Sequence, residues 1–332
     1  MNSPKPPRIS RLVTDTILMV RPARFGYNPE TAANNIYQTL PDDIPSDAVH
    51  IRALGEFDEF VSRLREAGIN VVVSHEMAGS TSTDSVFPNN WFSTHRDGTI
   101  VTYPMWAPSR RSERREELIH ELASKGRFVT RRIDYAQLEQ EGRFLEGTGS
   151  MVLDRRNRKA YACRSPRTDE LAFHSFCKDL RYEPILFSAS QVGPSGKEVD
   201  VYHSNVMMSI GENVAIIAAD TIRDPNEREM VLASMAASDR HLLTISEEQC
   251  RRFAGNMLQV ANTDGRLVLV MSEQAFWSLS PAQLEALRPL TEILYSPLYT
   301  IEACGGGSAR CMMAEVFLPT STEVQDAYAA PA

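Results

Sequence analysis

The sequence predicts an α/β fold assembled from repeated units of two strands, a helix and a third strand. Turn signals separate pairs of apolar segments, an amphipathic helical pattern follows each pair, and another apolar segment follows each helix. The turns centre on residues 98, 157, 212 and 265, at intervals of 59, 55 and 53 residues. Self-similarity at such a spacing is typical of an array of similar structural units. Four complete units are therefore predicted.

The two strands that open each unit are predicted to form a hairpin. Asp97 with Gly98, and Asp264 with Gly265, are strong two-residue turn signals. The other two hairpins are expected to turn at residues 156–157 and 211–212. The predicted hairpins cover residues 91–103, 151–163, 206–218 and 257–271.

The helix of each unit is predicted from its apolar periodicity and its end signals. Thr168, Asp224 and Ser280 are the expected N-caps, and Pro225 and Pro281 are the expected first helical residues. The helical patterns cover residues 114–126, 168–180, 224–238 and 278–290, and the strands after them cover 127–133, 183–189, 241–246 and 291–296.

The two ends of the chain supply a fifth, divided unit. Its N-terminal part has a strand at 16–20, a helix at 56–68 and a strand at 69–74, and its missing strand is expected at 311–318. Pairing the two ends would close a ring and remove exposed sheet edges. We therefore expect a single catalytic domain over residues 12–320, with flexible tails at 1–11 and 321–332.

Composition and charge narrow the classes of function. The formal net charge is −8, which disfavours nucleic acid as a partner. The cysteines form no CxxC pair, and free thiols fit a reducing cytoplasm. With neither an apolar signal segment nor an apolar run of about 18 residues, a cytoplasmic protein without a membrane span is predicted. No motif requires a metal or an organic cofactor, and homo-oligomer formation is left open.

One polar residue opens the first strand of each unit. The intervals between these residues are 56, 57, 53 and 55. Equivalent positions in a ring of five similar units converge on one axis, so these side chains are expected to meet in a central cleft. A carboxylate, an imidazole and a thiol brought together indicate catalysis. The five residues are Asn90, Glu146, His203, Asn256 and Cys311.

Several motifs resemble those of the pentein superfamily of guanidino-group-modifying enzymes. GSARCM resembles the nucleophile motif of the deiminases, LEGTGS their EGGD motif, HSN their HxD motif, and DSVFPNN a stretch of the dimethylarginine hydrolases. FPNNW together with GGGSARCM is most similar to the bacterial citrulline ureidase group. The resemblance covers nearly the whole chain and implies a pentein-type α/β propeller, with five pseudo-repeated ββαβ units around a central active-site cleft.

The resemblance also implies roles for individual residues. Cys311 would be the nucleophile, with its thiolate stabilised by a protonated histidine or by the substrate. His203 would be the general acid and base, with a pKa near neutrality. Glu146 would accept hydrogen bonds from substrate N–H groups. Asp84 would bind the amino-acid end of the substrate. Separately from the resemblance, residues 21–28 are interpreted as a lid near the cleft, from which Arg24 would meet a carboxylate.

Amides in the motifs favour an uncharged small-molecule amino-acid substrate. Penteins that act on arginine hold its cationic guanidinium between carboxylates, whereas this chain has Asn90 and Asn205 at two such positions, and Gly149 where EGGD has an acid. An amide both donates and accepts hydrogen bonds, which matches a ureido group. Asn89 is expected beside Asn90 in the pocket. The prediction is a cysteine-dependent hydrolase that converts citrulline to ornithine, carbon dioxide and ammonia through an S-carbamoyl-cysteine intermediate.

Two alternatives remain open. The first is a deiminase or dihydrolase of arginine or a modified arginine, in which the asparagines are only variants. The second is a non-catalytic binding protein with the pentein fold, which would have no need of a cysteine, a histidine and a glutamate in one cleft. Which nitrogen leaves the substrate is also open, because it depends on the placement of His203.

Overall fold

The computed structural model of the protein describes residues 12–40, 44–77, 79–321 and 323. The predicted flexible tails, 1–11 and most of 321–332, lie outside these residues. The described strands are Thr16–Arg21 (β1), Asn70–His75 (β2), Phe92–Thr94 (β3), Thr99–Thr102 (β4), Arg131–Asp134 (β5), Met151–Asp154 (β6), Lys159–Cys163 (β7), Glu183–Phe187 (β8), Ser190–Val192 (β9), Glu198–Asp200 (β10), Met208–Ile210 (β11), Val214–Ile217 (β12), His241–Thr244 (β13), Leu258–Ala261 (β14), Leu267–Ser272 (β15), Glu292–Ser296 (β16) and Ala314–Glu315 (β17).

The helices alternate with these strands, so the fold is mixed α/β. They are Pro29–Ala32 (α1), Ser46–Glu66 (α2), Glu116–Ser124 (α3), Gly147–Ser150 (α4), Glu170–Leu180 (α5), Ser204–Met207 (α6), Pro225–Ala236 (α7), Glu247–Arg251 (α8), Glu273–Ser278 (α9), Pro281–Leu287 (α10), Tyr299–Gly305 (α11) and Ala309–Met312 (α12). Short 3₁₀ turns lie at Pro88–Asn90, Pro108–Glu113, Ala136–Glu141 and Ala219–Thr221. No helix in the described ranges is long and apolar enough to cross a membrane.

The described strands confirm the predicted repeat, because five three-stranded sheets share one pattern. In each sheet the central strand pairs antiparallel with one neighbour and parallel with the other. The sheet orders are β17-β1-β2, β3-β4-β5, β6-β7-β8, β11-β12-β13 and β14-β15-β16. The first of these joins the two ends of the chain, as predicted, with Ile17 opposite Glu315.

Three of the differences from the predicted element boundaries have a clear physical cause. Asp169, and not Thr168, caps α5, because its carboxylate accepts a hydrogen bond from the backbone N–H of Ala172. Helix α2 begins ten residues earlier than predicted, at Ser46, and buries Val49 and Ala53 on its added turns. The C-terminal strand covers only Ala314–Glu315, because the residues before it form the turn α12.

The apolar core lies between the sheets and the helices that cover them. In the second complete unit, Phe173 and Phe176 of α5 are fully buried in one cluster with Ala160 and Ala162 of β7. Burying such side chains contributes about 1.5–3 kcal/mol each. The first strand of each unit starts directly after a tight turn, as β6 starts after α4. These turns carry the residues predicted to meet in the cleft.

Candidate active site

The five tight turns contact one another through buried polar groups. Asn256 donates from Nδ2 to the backbone oxygen of Asn205 at 2.8 Å, and its Oδ1 accepts from the backbone N–H of Arg310 at 3.1 Å. On the other side, the Thr148 hydroxyl donates to the backbone oxygen of Asn89 at 3.3 Å. Units that are far apart in sequence therefore bring their predicted residues to one place.

A small buried cavity lies at this meeting point. The space open to the centre of a water molecule is about 10 Å³, room for about one water. A molecule of amino-acid size therefore does not fit unless some of the residues that line the cavity move. The residues that line the cavity are Thr31, Asn35, Asp84, Phe87, Asn90, Arg110, Arg167, Tyr202, His203, Gly305, Gly306, Gly307 and Cys311.

Cys311 reaches the cavity from α12 and is held by amide donors. The Nδ2 atoms of Asn256 and Asn205 lie 3.3 Å and 3.5 Å from its sulfur. Gly307, just before the turn, leaves room for this arrangement, because a Cβ there would lie 2.9 Å from the ring of Phe87 and 3.3 Å from the Cβ of Cys311. The sulfur therefore has fixed N–H donors beside it and an open side towards the cavity.

His203 is oriented by Glu146. The ring Nε2 lies 2.8 Å from Oε2 of Glu146, and both side chains are almost completely buried. Burial raises the pKa of Glu146, but Arg167 and His203 lower it by more, so the net pKa lies well below its usual range. Glu146 is therefore a carboxylate, Nε2 carries the proton of the shared hydrogen bond, and Nδ1 is the ring nitrogen left to accept a proton.

Burial makes His203 neutral at pH 7. It lowers the pKa of the imidazole to about 4, although the adjacent Glu146 opposes the shift. This lowered pKa differs from the ordinary, near-neutral pKa of histidine on which the expected role rested. Asn205 and Asn256 supply the contacts to the sulfur. His203 is thus prepared to accept a proton.

Glu146 stands behind the histidine and does not line the cavity. Its Oε1 accepts from the backbone N–H of Trp106 at 3.0 Å, and its Oε2 also accepts from Arg167 at 3.4 Å. The carboxylate expected to accept substrate N–H groups is occupied by protein donors. Its contact with a cavity-lining group is through His203, the arrangement that the acid of a catalytic triad has.

Asn90 lines the cavity and carries a buried hydrogen-bond donor that has no partner among the described residues. Its Oδ1 accepts from Nη1 of Arg110 at 2.8 Å, which fixes the orientation of the amide. Its Nδ2 is buried and has no hydrogen-bond partner among the described residues. Gly149 makes this placement sterically feasible, because a Cβ there would lie 2.4 Å from that Nδ2 and 2.8 Å from the ring of His203.

The other predicted binding residues divide between the cavity and its surroundings. Asp84 lines the cavity and accepts a 2.5 Å hydrogen bond from Asn28. Burial raises the pKa of Asp84, partly opposed by Arg110. Asn205 contacts the sulfur but does not line the cavity, and Asn89 faces away from it, with Nδ2 3.4 Å from the Thr148 hydroxyl.

Arg24 is exposed and does not line the cavity, so the structure does not bring it to the other residues. Two buried arginines, each 2% exposed as a side chain, line it instead. Arg110 forms an ion pair with Glu113 at 2.8 Å, and Arg167 donates to Oδ1 of Asn34 at 2.6 Å. Neither was predicted from the sequence, although they lie 57 residues apart and each lies between the second strand and the helix of its unit.

The sequence of the protein matches the model of a known enzyme family. Residues 21–318 match the model of the family described as N,N dimethylarginine dimethylhydrolase, eukaryotic. The chain belongs to this dimethylarginine dimethylhydrolase family. The match confirms the pentein superfamily predicted from the motifs, whereas the assignment to the citrulline ureidase group stays a prediction. Comparison with curated protein sequences gives no match.

Solved structures show the same fold at low sequence identity. ArgZ, an arginine dihydrolase from the ornithine–ammonia cycle in Cyanobacteria, superimposes with a TM-score of 0.67 and 18% identity over 92% of this chain, which spans 41% of ArgZ. The substrate-bound N-terminal domain of ArgZ alone gives a TM-score of 0.66 and 18% identity, with 91% of this chain and 97% of that domain covered. A mutant dimethylarginine dimethylhydrolase from Pseudomonas aeruginosa, complexed with citrulline, gives 0.60 and 15%, with 92% and 99% covered.

Proposed function

We propose that this family member is a cysteine-dependent hydrolase of a ureido C–N bond, with citrulline as its simplest substrate. The observation that carries the proposal is the unpartnered, buried Nδ2 of Asn90. A ureido oxygen can accept a hydrogen bond from this N–H, whereas a guanidinium has only donors and would leave it unpaired. An unpaired buried donor costs about 1–3 kcal/mol.

In the first half of the reaction, Cys311 is the nucleophile. His203 accepts the thiol proton at Nδ1 while the sulfur bonds to the ureido carbon, and the carbonyl electron pair moves to oxygen. The N–H of Asn90 donates to that oxyanion. Collapse breaks the bond to the alkyl nitrogen, His203 returns the proton to that nitrogen, and ornithine leaves an S-carbamoyl thioester on Cys311.

In the second half, water releases the carbamoyl group. His203 takes a proton from the water, whose oxygen bonds to the carbamoyl carbon, and the C–S bond breaks as the proton passes to sulfur. The carbamic acid that is released divides into ammonia and carbon dioxide. Glu146 keeps its carboxylate next to Nε2 and stabilises the imidazolium that forms in each half.

We also propose that the cavity holds the amino-acid end of the substrate between opposite charges. Asp84 would meet the α-amino group, and the buried Arg110 and Arg167 would provide the positive charge for the α-carboxylate in place of the exposed Arg24. The same proposal includes a single catalytic domain over residues 12–320, whose five units close into a propeller. The shared sheet of the two chain ends supports this closure.

A second candidate is hydrolysis of arginine or a methylated arginine, as the name of the family suggests. Asp84 favours it, because a buried carboxylate in the same cavity is a potential counter-charge for a guanidinium. This function would leave the Nδ2 of Asn90 without an acceptor, which is why we rank it second.

A product assay separates these functions. The protein is incubated with citrulline, arginine and dimethylarginine in turn, and ornithine, citrulline and ammonia are measured. Ornithine and ammonia from citrulline support ureido hydrolysis, whereas citrulline from either arginine substrate would refute it in favour of the second candidate. Cys311→Ala should abolish turnover and Cys304→Ala should retain it, since Cys304 does not line the cavity. No product from any of the three would favour a non-catalytic binding protein.

A further inference from the structure

A second cleft, away from the catalytic cavity, is lined mainly by arginines. Its volume is about 450 Å³, within the range of small-molecule sites. Five arginines and two aspartates are among its ten lining residues, although the protein as a whole carries a net charge of −8. The five are Arg96, Arg131, Arg155, Arg158 and Arg181.

The two carboxylates form no ion pair with Arg131, Arg155, Arg158 or Arg181 among the described residues. Asp179 accepts a hydrogen bond from the Tyr135 hydroxyl at 2.7 Å, and Asp97 accepts from the backbone N–H of Thr99 at 3.0 Å. Within the described residues, no ion pair involves Arg131, Arg158 or Arg181; Arg155 lies 3.7 Å from Glu315. The cleft therefore keeps an excess of positive charge.

Aromatic rings and backbone carbonyls position part of this charge. The guanidinium of Arg155 lies 4.0 Å from the ring centre of Phe317, and that of Arg158 lies 4.2 Å from that of Tyr182. Arg158 also donates to the backbone oxygen of Arg181 at 3.3 Å. A cation held by a ring face retains its charge for a ligand.

Two of the arginines adopt a left-handed backbone conformation, which is unfavourable for residues other than glycine. Arg158 and Arg181 have φ values of 56° and 58°. Arg181 directly follows α5, at a helix end where glycine is the common residue because it has no Cβ. Strained residues of this kind concentrate at functional sites. The chain thus has an arginine where glycine would be easier to accommodate.

From these features we infer that the cleft is a binding site for the oligophosphate chain of a small molecule. The arginines come from the hairpin β3–β4, from β5, from the hairpin β6–β7 and from the end of α5, so they approach a ligand from several sides. A tetrahedral phosphate presents oxygens in several directions, which suits arginines that approach from several sides. A planar carboxylate, in contrast, accepts hydrogen bonds from arginine mainly in its own plane. The cleft is a pocket and not a stripe, which favours a small ligand over nucleic acid.

Calorimetric titration of the full-length protein tests this site independently of turnover. Sodium tripolyphosphate should bind with one saturable site, and Arg131→Gln and Arg181→Gly should each weaken it at least tenfold, since each removes a charged hydrogen-bond donor. Arg181→Gly also removes the unfavourable φ, so this variant should fold at least as stably as the parent. Arg288→Gln, an exposed arginine outside the cleft, should change the affinity less than twofold.

Further ligands identify the chemistry that is recognised. ATP without magnesium should bind at least as tightly as tripolyphosphate, adenosine should not bind, and tighter binding of ATP would show that the base adds contacts. Citrate carries a similar charge on planar groups and should bind at least tenfold more weakly. Citrate binding as tight as that of tripolyphosphate, no saturable binding at millimolar concentration, or equal affinities for the parent and the cleft variants would overturn the inference.

Discussion

The substitution Asn90→Asp tests the proposed substrate with the smallest change that the cavity permits. The two side chains have nearly the same shape, and the oxygen that accepts from Arg110 at 2.8 Å is retained. What is lost is the N–H donor at Nδ2, the atom that has no partner among the described residues. The variant therefore separates the chemistry of this one group from its packing.

The expected loss follows from the role of that donor. An N–H that stabilises the oxyanion in a closed site contributes about 2.7–4 kcal/mol, so its removal should lower kcat for citrulline by about 10²–10³. The ratio of kcat/KM for arginine to that for citrulline should rise, because a carboxylate now faces the bound group. The melting temperature is measured alongside, because the added carboxylate is buried beside an Arg110 that already pairs with Glu113.

Steady-state kinetics with both substrates measures these effects, and Asn226→Asp is the matched control. Asn226 is exposed in the first turn of α7. The same chemical change there should leave unchanged both kcat for citrulline and the ratio of kcat/KM for arginine to that for citrulline. If the cavity variant retains citrulline turnover within about fivefold of the parent, Asn90 does not donate to the oxyanion and the reasoning for a ureido substrate is wrong.

Three further predictions address the surroundings of the site. Glu146→Gln should lower kcat about 10²–10⁴-fold in steady-state assays, because a neutral amide no longer fixes the tautomer of His203; near-normal kcat would contradict the triad. Gly149→Ala should reduce kcat at least tenfold, since its Cβ would lie 2.4 Å from the amide of Asn90, whereas Gly55→Ala, with nothing within 4 Å, should not. Burial raises the pKa of Glu302 from 4.5 to about 7. Between pH 4.5 and 7, Glu302 is therefore protonated in the folded state and ionised in the unfolded state. Its contribution to stability is lost as pH rises through that range. Urea unfolding of Glu302→Gln should show a loss of stability about 1–3 kcal/mol smaller over that window, and parallel pH profiles of variant and parent would exclude this assignment.

The sequence predicted most of the fold because the units repeat. Turn chemistry such as Asp97 with Gly98 is local, and the N-caps Asp224 and Ser280 form the expected hydrogen bonds with their own helices. The join between the chain ends followed from the missing strand of the fifth unit. The error at Thr168 has a local cause, since the neighbouring Asp169 is an equally good cap and backbone geometry decides between them.

The site was predictable only where it follows the repeat. Cys311 and His203 occupy equivalent turns, so their convergence could be read from spacing alone. Arg110 and Arg167 follow the second strands of their units at the repeat spacing, but Arg223, 56 residues after Arg167, is exposed, so the spacing alone does not identify a buried arginine. A buried arginine is identified by its partners, which are near in sequence for Arg110, paired with Glu113, and distant for Arg167, which donates to Asn34.

The orientation of the Asn90 side-chain amide is a feature of the site that the repeat spacing cannot predict. An asparagine can present either an acceptor or a donor to a substrate, and the motif gives no means of choosing. Arg110 makes the choice, because its guanidinium can only donate and therefore takes the amide oxygen. The preference for a ureido oxygen thus depends on a pair of residues. An Arg110 variant that cannot donate would allow the amide to turn, and would be expected to lose substrate discrimination even though Asn90 itself is unchanged.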